Sequence, residues 1–106
     1  MAVLVDDDGA VYYFWGQLSA KSGRLNTDLT GLAGGSVVES ILTEYKHGFH
    51  EGISARKING LYYLIYTDIS RGRASCLSYA TNERPLGPYT KRGTCFTLDE
   101  CEAFAV

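Results

Sequence analysis

Short apolar and aromatic runs separated by turn residues dominate the first part of the chain, and no long 3.6-residue periodicity interrupts them. Ala2–Val5 is a short apolar run, and Asp6-Asp7-Asp8-Gly9 is rich in turn formers. Ala10–Gly16 then returns with four consecutive aromatic residues. This pattern predicts a β-hairpin and a mostly β chain.

The hairpin pattern recurs about 50 residues later. Ile53–Ile58 runs into Asn59-Gly60, the strongest short hairpin signal, and Leu61–Thr67 returns as a second aromatic strand. A repeat of this length is typical of one β-propeller blade, which holds four strands in about 40 to 50 residues.

Each unit is expected to continue with two further strands. Ser19–Leu29 and Ser75–Thr81 are predicted as third strands, and Ser36–Ser40 and Tyr89–Cys95 as short outer strands. A helical turn within Ser36–Tyr45 is the weaker alternative. The predicted fold class is all-β, with four-stranded antiparallel blades of an incomplete β-propeller.

The predicted organisation is two blades joined by a loop. The first, partial blade takes residues 1–42, the loop 43–52, the second blade 53–95 and a divergent tail 96–106. The loop carries His47, Phe49, His50 and Glu51. Because binding and catalytic groups concentrate on loops held by a rigid sheet, chemistry is expected in this loop.

The composition is that of an ordinary globular protein and argues against several function classes. Of the 106 residues, 45% are hydrophobic and 21% are charged, and the formal net charge is −2. Without a lysine or arginine run, the chain has no electrostatic signature of nucleic-acid or anionic-membrane binding. No apolar run approaches the roughly 18 residues that span a bilayer, and no signal-peptide pattern is present. As given, the chain is expected to be soluble and unexported, and its localisation is otherwise left open.

Metal and cofactor chemistry are not expected. Cys76, Cys95 and Cys101 show neither C-x-x-C spacing nor histidines at zinc-ligand spacing. Free thiols are predicted, with a Cys95–Cys101 disulfide as the alternative. Asp6-Asp7-Asp8-Gly9 lacks the alternating ligands and final glutamate of an EF-hand loop, which favours a hairpin turn over a calcium site.

Several segments together carry a resemblance to a known family. They are His50-Glu51-Gly52-Ile53, Arg56-Lys57-Ile58-Asn59-Gly60-Leu61-Tyr62-Tyr63-Leu64, Ser78-Tyr79-Ala80-Thr81, Pro85-Leu86-Gly87-Pro88-Tyr89, and the opening Ala2–Gly9 with Tyr12–Gly16. In these segments the sequence resembles glycoside hydrolase family 43, over roughly residues 2 to 93. Family members are five-bladed β-propeller arabinofuranosidases, xylosidases and arabinanases, so the resemblance implies a fragment of about two blades.

The resemblance implies an inverting enzyme that hydrolyses O-glycosidic bonds of arabinose- or xylose-containing plant polysaccharides or oligosaccharides. It assigns Glu51 as the general acid, which needs a second carboxylate roughly 6.5 to 9.5 Å away as its partner. The family's general base lies on a blade absent from this chain, and Met1 stands where an Asp-Pro pair usually precedes the first strand. The isolated chain is therefore expected to be inactive. The alternative is a non-catalytic β-sheet remnant that binds carbohydrate or another partner.

Four further residues are candidate substrate contacts: Trp15, Phe49, His50 and Arg71. The rings of Trp15 and Phe49 suit stacking on a sugar, His50 flanks Glu51, and the Arg71 guanidinium can donate hydrogen bonds. The competing interpretations are inter-blade packing for Trp15, a solvated His50, and an Arg71 that lies in solvent or pairs with Asp68.

Three expectations concern the surroundings of Glu51 and the surfaces of the blades. Phe49 and Ile53 are expected to form an apolar wall that disfavours the charged form of Glu51. His47 is expected to be a solvated loop residue or a sugar contact. Because two blades cannot close a ring, each leaves an apolar face uncovered, and self-association through these faces is expected.

Overall fold

The computed structural model describes residues 1–69 and 76–95. Two four-stranded antiparallel sheets account for most of them, with strand orders β1-β2-β3-β4 and β5-β6-β7-β8. The elements are β1 Ala2–Val5, β2 Val11–Gln17, β3 Ser19–Arg24, β4 Val38–Thr43, α1 Glu44–His47, β5 Phe49–Ile58, β6 Leu61–Asp68, β7 Cys76–Asn82 and β8 Thr90–Cys95. The predicted all-β class with two four-stranded meanders is confirmed.

Both predicted hairpins form at the expected turns. In the β1–β2 turn, the Asp6 amide donates to the Ala10 carbonyl at 2.8 Å, and Gly9 has φ 86°. In the β5–β6 turn, Asn59 and Gly60 have φ 52° and 79°. Two successive positive φ values match the right-handed twist of the flanking strands, which explains why Asn-Gly was a strong signal.

The third and fourth strands of the first sheet differ from their predicted bounds. β3 ends at Arg24 rather than Leu29, because Asn26 begins a local loop in which its Oδ1 accepts the Thr30 amide at 3.0 Å. The predicted outer strand Ser36–Ser40 is displaced to Val38–Thr43.

The segment predicted as a joining loop is largely ordered secondary structure, so that prediction is wrong for most of its length. One helical turn occupies Glu44–His47, because the Thr43 side chain accepts the Lys46 amide at 3.1 Å and Gly48 closes the turn with φ 68°. β5 then begins at Phe49. The first sheet therefore extends to residue 43 and the second begins at 49.

One apolar core lies between the two sheets. Its buried members are Phe14, Ala20, Ile41 and Leu42 from the first sheet, Phe49, Ile53, Tyr62, Leu64, Tyr66 and Ala80 from the second, and Tyr89. Along β6 the alternate residues Tyr62, Leu64 and Tyr66 point into this core, as the pleat requires. β1 and β2 both contact β5, so the first strands of the two sheets lie side by side.

The remaining faces of the sheets carry aromatic and aliphatic side chains that point away from this core. The first outer face consists of Met1, Val3, Val5, Tyr13 and Trp15, and the second outer face of Leu61, Tyr63, Ile65, Leu77 and Tyr79. The rings of Tyr13 and Trp15 stack at 5.2 Å, and those of Tyr63 and Tyr79 at 6.3 Å.

Among the described residues, no helix combines the length and apolarity needed to cross a bilayer.

Candidate active site

Glu51 lies near the start of β5, where the strand is irregular. The pairing of β5 with β6 shifts register between Phe49 and Glu51 and again between Glu51 and Ser54. Gly52 follows with φ 75°, a conformation that glycine adopts without strain. Bulges of this kind re-aim side chains next to active sites, and the Glu51 side chain is exposed.

The end of β2 reaches Glu51 from the first sheet. Gln17 Nε2 donates to Glu51 Oε2 at 3.2 Å. The Leu18 amide donates to the His50 carbonyl at 2.9 Å, and the Leu18 carbonyl accepts the Glu44 amide at 3.0 Å. The β2–β3 turn is therefore bonded both to α1 and to the residue before Glu51, which fixes the position of the Glu51 backbone.

His47 is a structural residue and not a solvated one. Its side chain is buried, Nδ1 accepts the Thr43 amide at 2.9 Å, and Nε2 lies 2.7 Å from the Tyr89 carbonyl. Because a backbone amide only donates and a carbonyl only accepts, these partners assign the neutral tautomer with the proton on Nε2. Tyr66 Oη donates to the His47 carbonyl at 2.7 Å. Burial raises the pKa of Tyr66, so its hydroxyl remains a donor.

An ion pair with a buried carboxylate lies directly behind the start of β5. Asp68, whose side chain is 1% exposed, accepts from Lys91 Nζ at 2.7 Å and from the Ser78 hydroxyl. A Cβ on Gly48 would lie 2.5 Å from Asp68 Oδ1, so only glycine fits between this carboxylate and the helical turn. The pair supports the backbone that leads into Phe49, whose partner across the sheet is Asp68.

The residues predicted to contact substrate near Glu51 lie in different environments in the structure. His50 is partly exposed beside Glu51, and its buried Nδ1 atom has no hydrogen-bond partner in the described part of the chain. Trp15 lies on the first outer face, stacked on Tyr13 of the same strand, so its role as a sugar contact or in inter-blade packing stays a prediction. Arg71, the tail 96–106 and Cys101 lie outside the described residues, so the predictions for them stay predictions.

Phe49 is wrong as a sugar contact and belongs to the core. It is 0% exposed and packs edge-on against Tyr66, with ring centroids 5.6 Å apart. Ile53 is buried in the same core, while Glu51 is exposed. The apolar wall expected beside Glu51 is therefore absent, because the two register shifts turn Glu51 away from its apolar neighbours.

Sequence reasoning missed Gln17 and the buried position of Asp68 beside Lys91. The Gln17 contact joins residues 34 positions apart and depends on how the sheets pack, so no local signal marks it. Asp68 did have a signal: it continues the alternation of core-facing residues Tyr62, Leu64 and Tyr66 along β6. Within residues 1–69 and 76–95, no group of three His, Cys, Asp or Glu side chains is arranged to hold a metal ion.

Solved structures of carbohydrate-active enzymes share this arrangement of strands. An α-L-arabinofuranosidase from Clostridium thermocellum matches 95% of this chain and 32% of its own, with a TM-score of 0.71 and 22% identity. A family 43 enzyme from Xanthomonas citri, solved with xylose, matches 88% of this chain and 38% of its own at 28% identity and a TM-score of 0.71. The fold is that of about two blades of a family 43 glycoside hydrolase.

Another family 43 structure, a β-xylosidase/α-arabinofuranosidase from a compost metagenome solved with xylotriose, gives the same result. It matches 88% of this chain and 39% of its own at 25% identity, with a TM-score of 0.70. The chain thus spans between 32% and 39% of the length of these family 43 enzymes. No protein-family model matches the sequence, and no curated protein matches it significantly.

Proposed function

We propose that the chain forms part of an inverting glycoside hydrolase acting on arabinose- or xylose-containing polysaccharides or oligosaccharides, with Glu51 as the general acid. The similarity to family 43 enzymes solved with xylose and xylotriose supports this substrate class. The observation that carries the proposal is the exposed Glu51 carboxyl group at a bulged strand end, with one oxygen bonded to Gln17.

The hydrogen bond from Gln17 supports different roles for the two oxygens of the Glu51 carboxyl group. Gln17 Nε2 donates to Oε2 and fixes the plane of the group, which leaves Oε1 to carry the proton for the departing glycosidic oxygen. An inverting reaction also needs a carboxylate roughly 6.5 to 9.5 Å away to activate water on the opposite face of the sugar. In family 43 that base belongs to another blade, so we propose that the 106-residue chain has no turnover by itself.

The role of Glu51 can be tested in a chimera in which residues 2–93 replace the matching two blades of the Xanthomonas citri enzyme. Glu51→Gln is expected to lower kcat/KM by about 10²- to 10⁴-fold on phenyl xyloside, whose leaving group needs protonation. The loss on 2,4-dinitrophenyl xyloside should be about tenfold or less, because that leaving group departs without help.

A matched control is Glu83→Gln, which makes the same substitution at an exposed glutamate in the β7–β8 connection and should leave both rates unchanged. Equal losses on the two substrates would contradict a general-acid role, since a distorted site would slow both. An active isolated chain whose turnover Glu51→Gln removes would contradict the proposed inactivity.

His50 is the other residue that we propose for substrate contact. It adjoins Glu51 and is partly exposed, which supports a contact between its imidazole ring and a sugar hydroxyl. Arg71 remains a sequence-based proposal for the same role.

We also propose that the isolated chain self-associates through its outer faces, with a second copy of the chain as the occupant. On the first outer face, Val3 is 55% and Val5 is 66% exposed, and they adjoin the stacked Tyr13 and Trp15 rings. A contiguous apolar surface of this kind is seldom left uncovered on a soluble monomer.

A further inference from the structure

A cleft of about 530 Å³ lies between the two sheets at the opposite end from Glu51. Tyr12, Arg24 and Arg84 line this cleft, which we call the distal cleft. Tyr12 precedes Gln17 by about five strand residues, or about 16 Å at the usual rise, so the distal cleft is separate from the candidate active site.

We propose that the distal cleft binds the carboxylate of an acidic sugar. The Arg24 and Arg84 guanidinium groups and the Tyr12 hydroxyl make no hydrogen bond or ion pair within the described part of the chain. A guanidinium group suits a carboxylate, because it presents parallel N–H donors to the two oxygens. The Tyr12 hydroxyl adds hydrogen-bonding capacity for a sugar hydroxyl, and Leu86 gives the cleft an apolar side for the ring.

The rim that carries Arg24 is fixed by hydrogen bonds to the β3–β4 connection. The Arg24 carbonyl accepts the Ala33 amide at 2.7 Å, and the Arg24 amide donates to Ser36 Oγ at 3.1 Å. Ser36 Oγ in turn donates to the Ala33 carbonyl at 2.7 Å. The backbone of Arg24 is therefore set before a ligand arrives, which lowers the entropic cost of binding.

The rim that carries Arg84 is fixed to the first sheet. Ser22 Oγ donates to the Leu86 carbonyl at 2.7 Å, and the Tyr89 amide donates to the Ile41 carbonyl at 3.2 Å. The Arg84 carbonyl accepts from Asn82 Nδ2 at 3.0 Å. The β7–β8 connection thus holds Arg84 across from Arg24, although the two residues belong to different sheets.

Asp8 carries a negative charge that opposes an anionic ligand. Asp8 lines an adjoining cleft together with Arg24, and its Oδ1 accepts the Ala10 amide at 2.9 Å. Its charge therefore lies near the Arg24 guanidinium without forming an ion pair with it. Replacing Asp8 by asparagine keeps the acceptor for Ala10 and removes the charge, so it should strengthen the binding of an anion.

The test is isothermal titration calorimetry of the whole chain with sodium glucuronate, with glucose as the neutral match and acetate as the carboxylate without a ring. Glucuronate should bind, glucose and acetate should bind about tenfold more weakly or not at all, and added salt should weaken glucuronate binding. Arg24→Gln and Arg84→Gln should each weaken it by about tenfold, and Asp8→Asn should strengthen it.

Two control variants make the test specific. Lys46→Gln removes one exposed positive charge from α1, at the other end of the sheets, and should leave the affinity unchanged. Glu51→Gln should also leave it unchanged, so the proposed catalytic role and the distal cleft succeed or fail separately. Equal binding of glucose or acetate, or the same loss in Lys46→Gln as in the arginine variants, would overturn the proposal.

Discussion

Gly48, which lies between α1 and β5, has little freedom to change. It ends α1 with φ 68°, and a side chain there would meet Asp68 Oδ1 at 2.5 Å. Asp68 cannot retreat easily, because it is buried and bonded to Lys91 and Ser78. Gly60, in the β5–β6 turn, shares the positive φ at 79° but has open space around the position of a Cβ atom.

Gly48→Ala should therefore destabilise the chain more than Gly60→Ala. The left-handed backbone costs an alanine about 1 to 2 kcal/mol at either site. At Gly48 the displaced Asp68–Lys91 pair should raise the loss to about 3 to 5 kcal/mol. Urea unfolding followed by fluorescence of the single tryptophan measures both losses. Equal losses would show that the carboxylate moves aside freely.

At the scale of the elements, ion pairs join the β1–β2 turn to the β5–β6 hairpin. Lys57 Nζ lies 2.8 Å from Asp6 Oδ1 and 3.0 Å from Asp7 Oδ2, and the Tyr62 hydroxyl donates to Asp6. The Asp6 side chain is 8% exposed and that of Asp7 is 90% exposed, so Asp6 carries most of the interaction. The hydrogen bonds from Lys57 and then Tyr62 lower the pKa of Asp6 to about 2.

This turn contact should make the stability of the fold depend on pH in the acidic range. Because the folded pKa of about 2 is below the ordinary 3.8, ionised Asp6 stabilises the fold above pH 3.8 and loses that effect as the pH falls towards 2. Asp6→Asn should be less stable than wild type at neutral pH, and the difference should shrink through this window. Urea midpoints measured across the window test the prediction.

Asp8→Asn is the control for this pH dependence. Asp8 is exposed in the same turn, and asparagine keeps the acceptor for the Ala10 amide. Asp8→Asn should therefore lower the urea midpoint less than Asp6→Asn does at neutral pH. If the difference in urea midpoint between Asp6→Asn and wild type stays constant with pH, the contacts of Lys57 and Tyr62 with residue 6 do not depend on its charge.

For the whole molecule, we expect the two outer faces to set the behaviour in solution. Analytical ultracentrifugation should show association of the wild-type chain that increases with concentration. Val3→Lys combined with Val5→Lys should shift it towards the monomer, because both residues are exposed on the first outer face. Tyr45→Lys, at a 95% exposed position of α1, should not. A wild-type chain that is monomeric at every concentration would contradict self-association.

The parts of the fold that the sequence predicted are those set by local chemistry. Asn59-Gly60 and the Asp6–Gly9 turn fix their hairpins within a few residues, so both were predictable. The role of His47 depends on Tyr89, 42 positions away, and only the packed sheets bring them together. At the candidate site, Glu51 came from the family resemblance, whereas its exposure arises from two register shifts that no local pattern signals.

Leu18 joins the corner where the two sheets meet through its backbone alone. Its amide and carbonyl bond to His50 and Glu44, and these bonds use no side chain on either partner. Substitutions of the side chains at positions 18, 44 and 50 therefore leave these two bonds in place. A lineage could lose or acquire a proton donor at position 51 without rebuilding the scaffold that holds it.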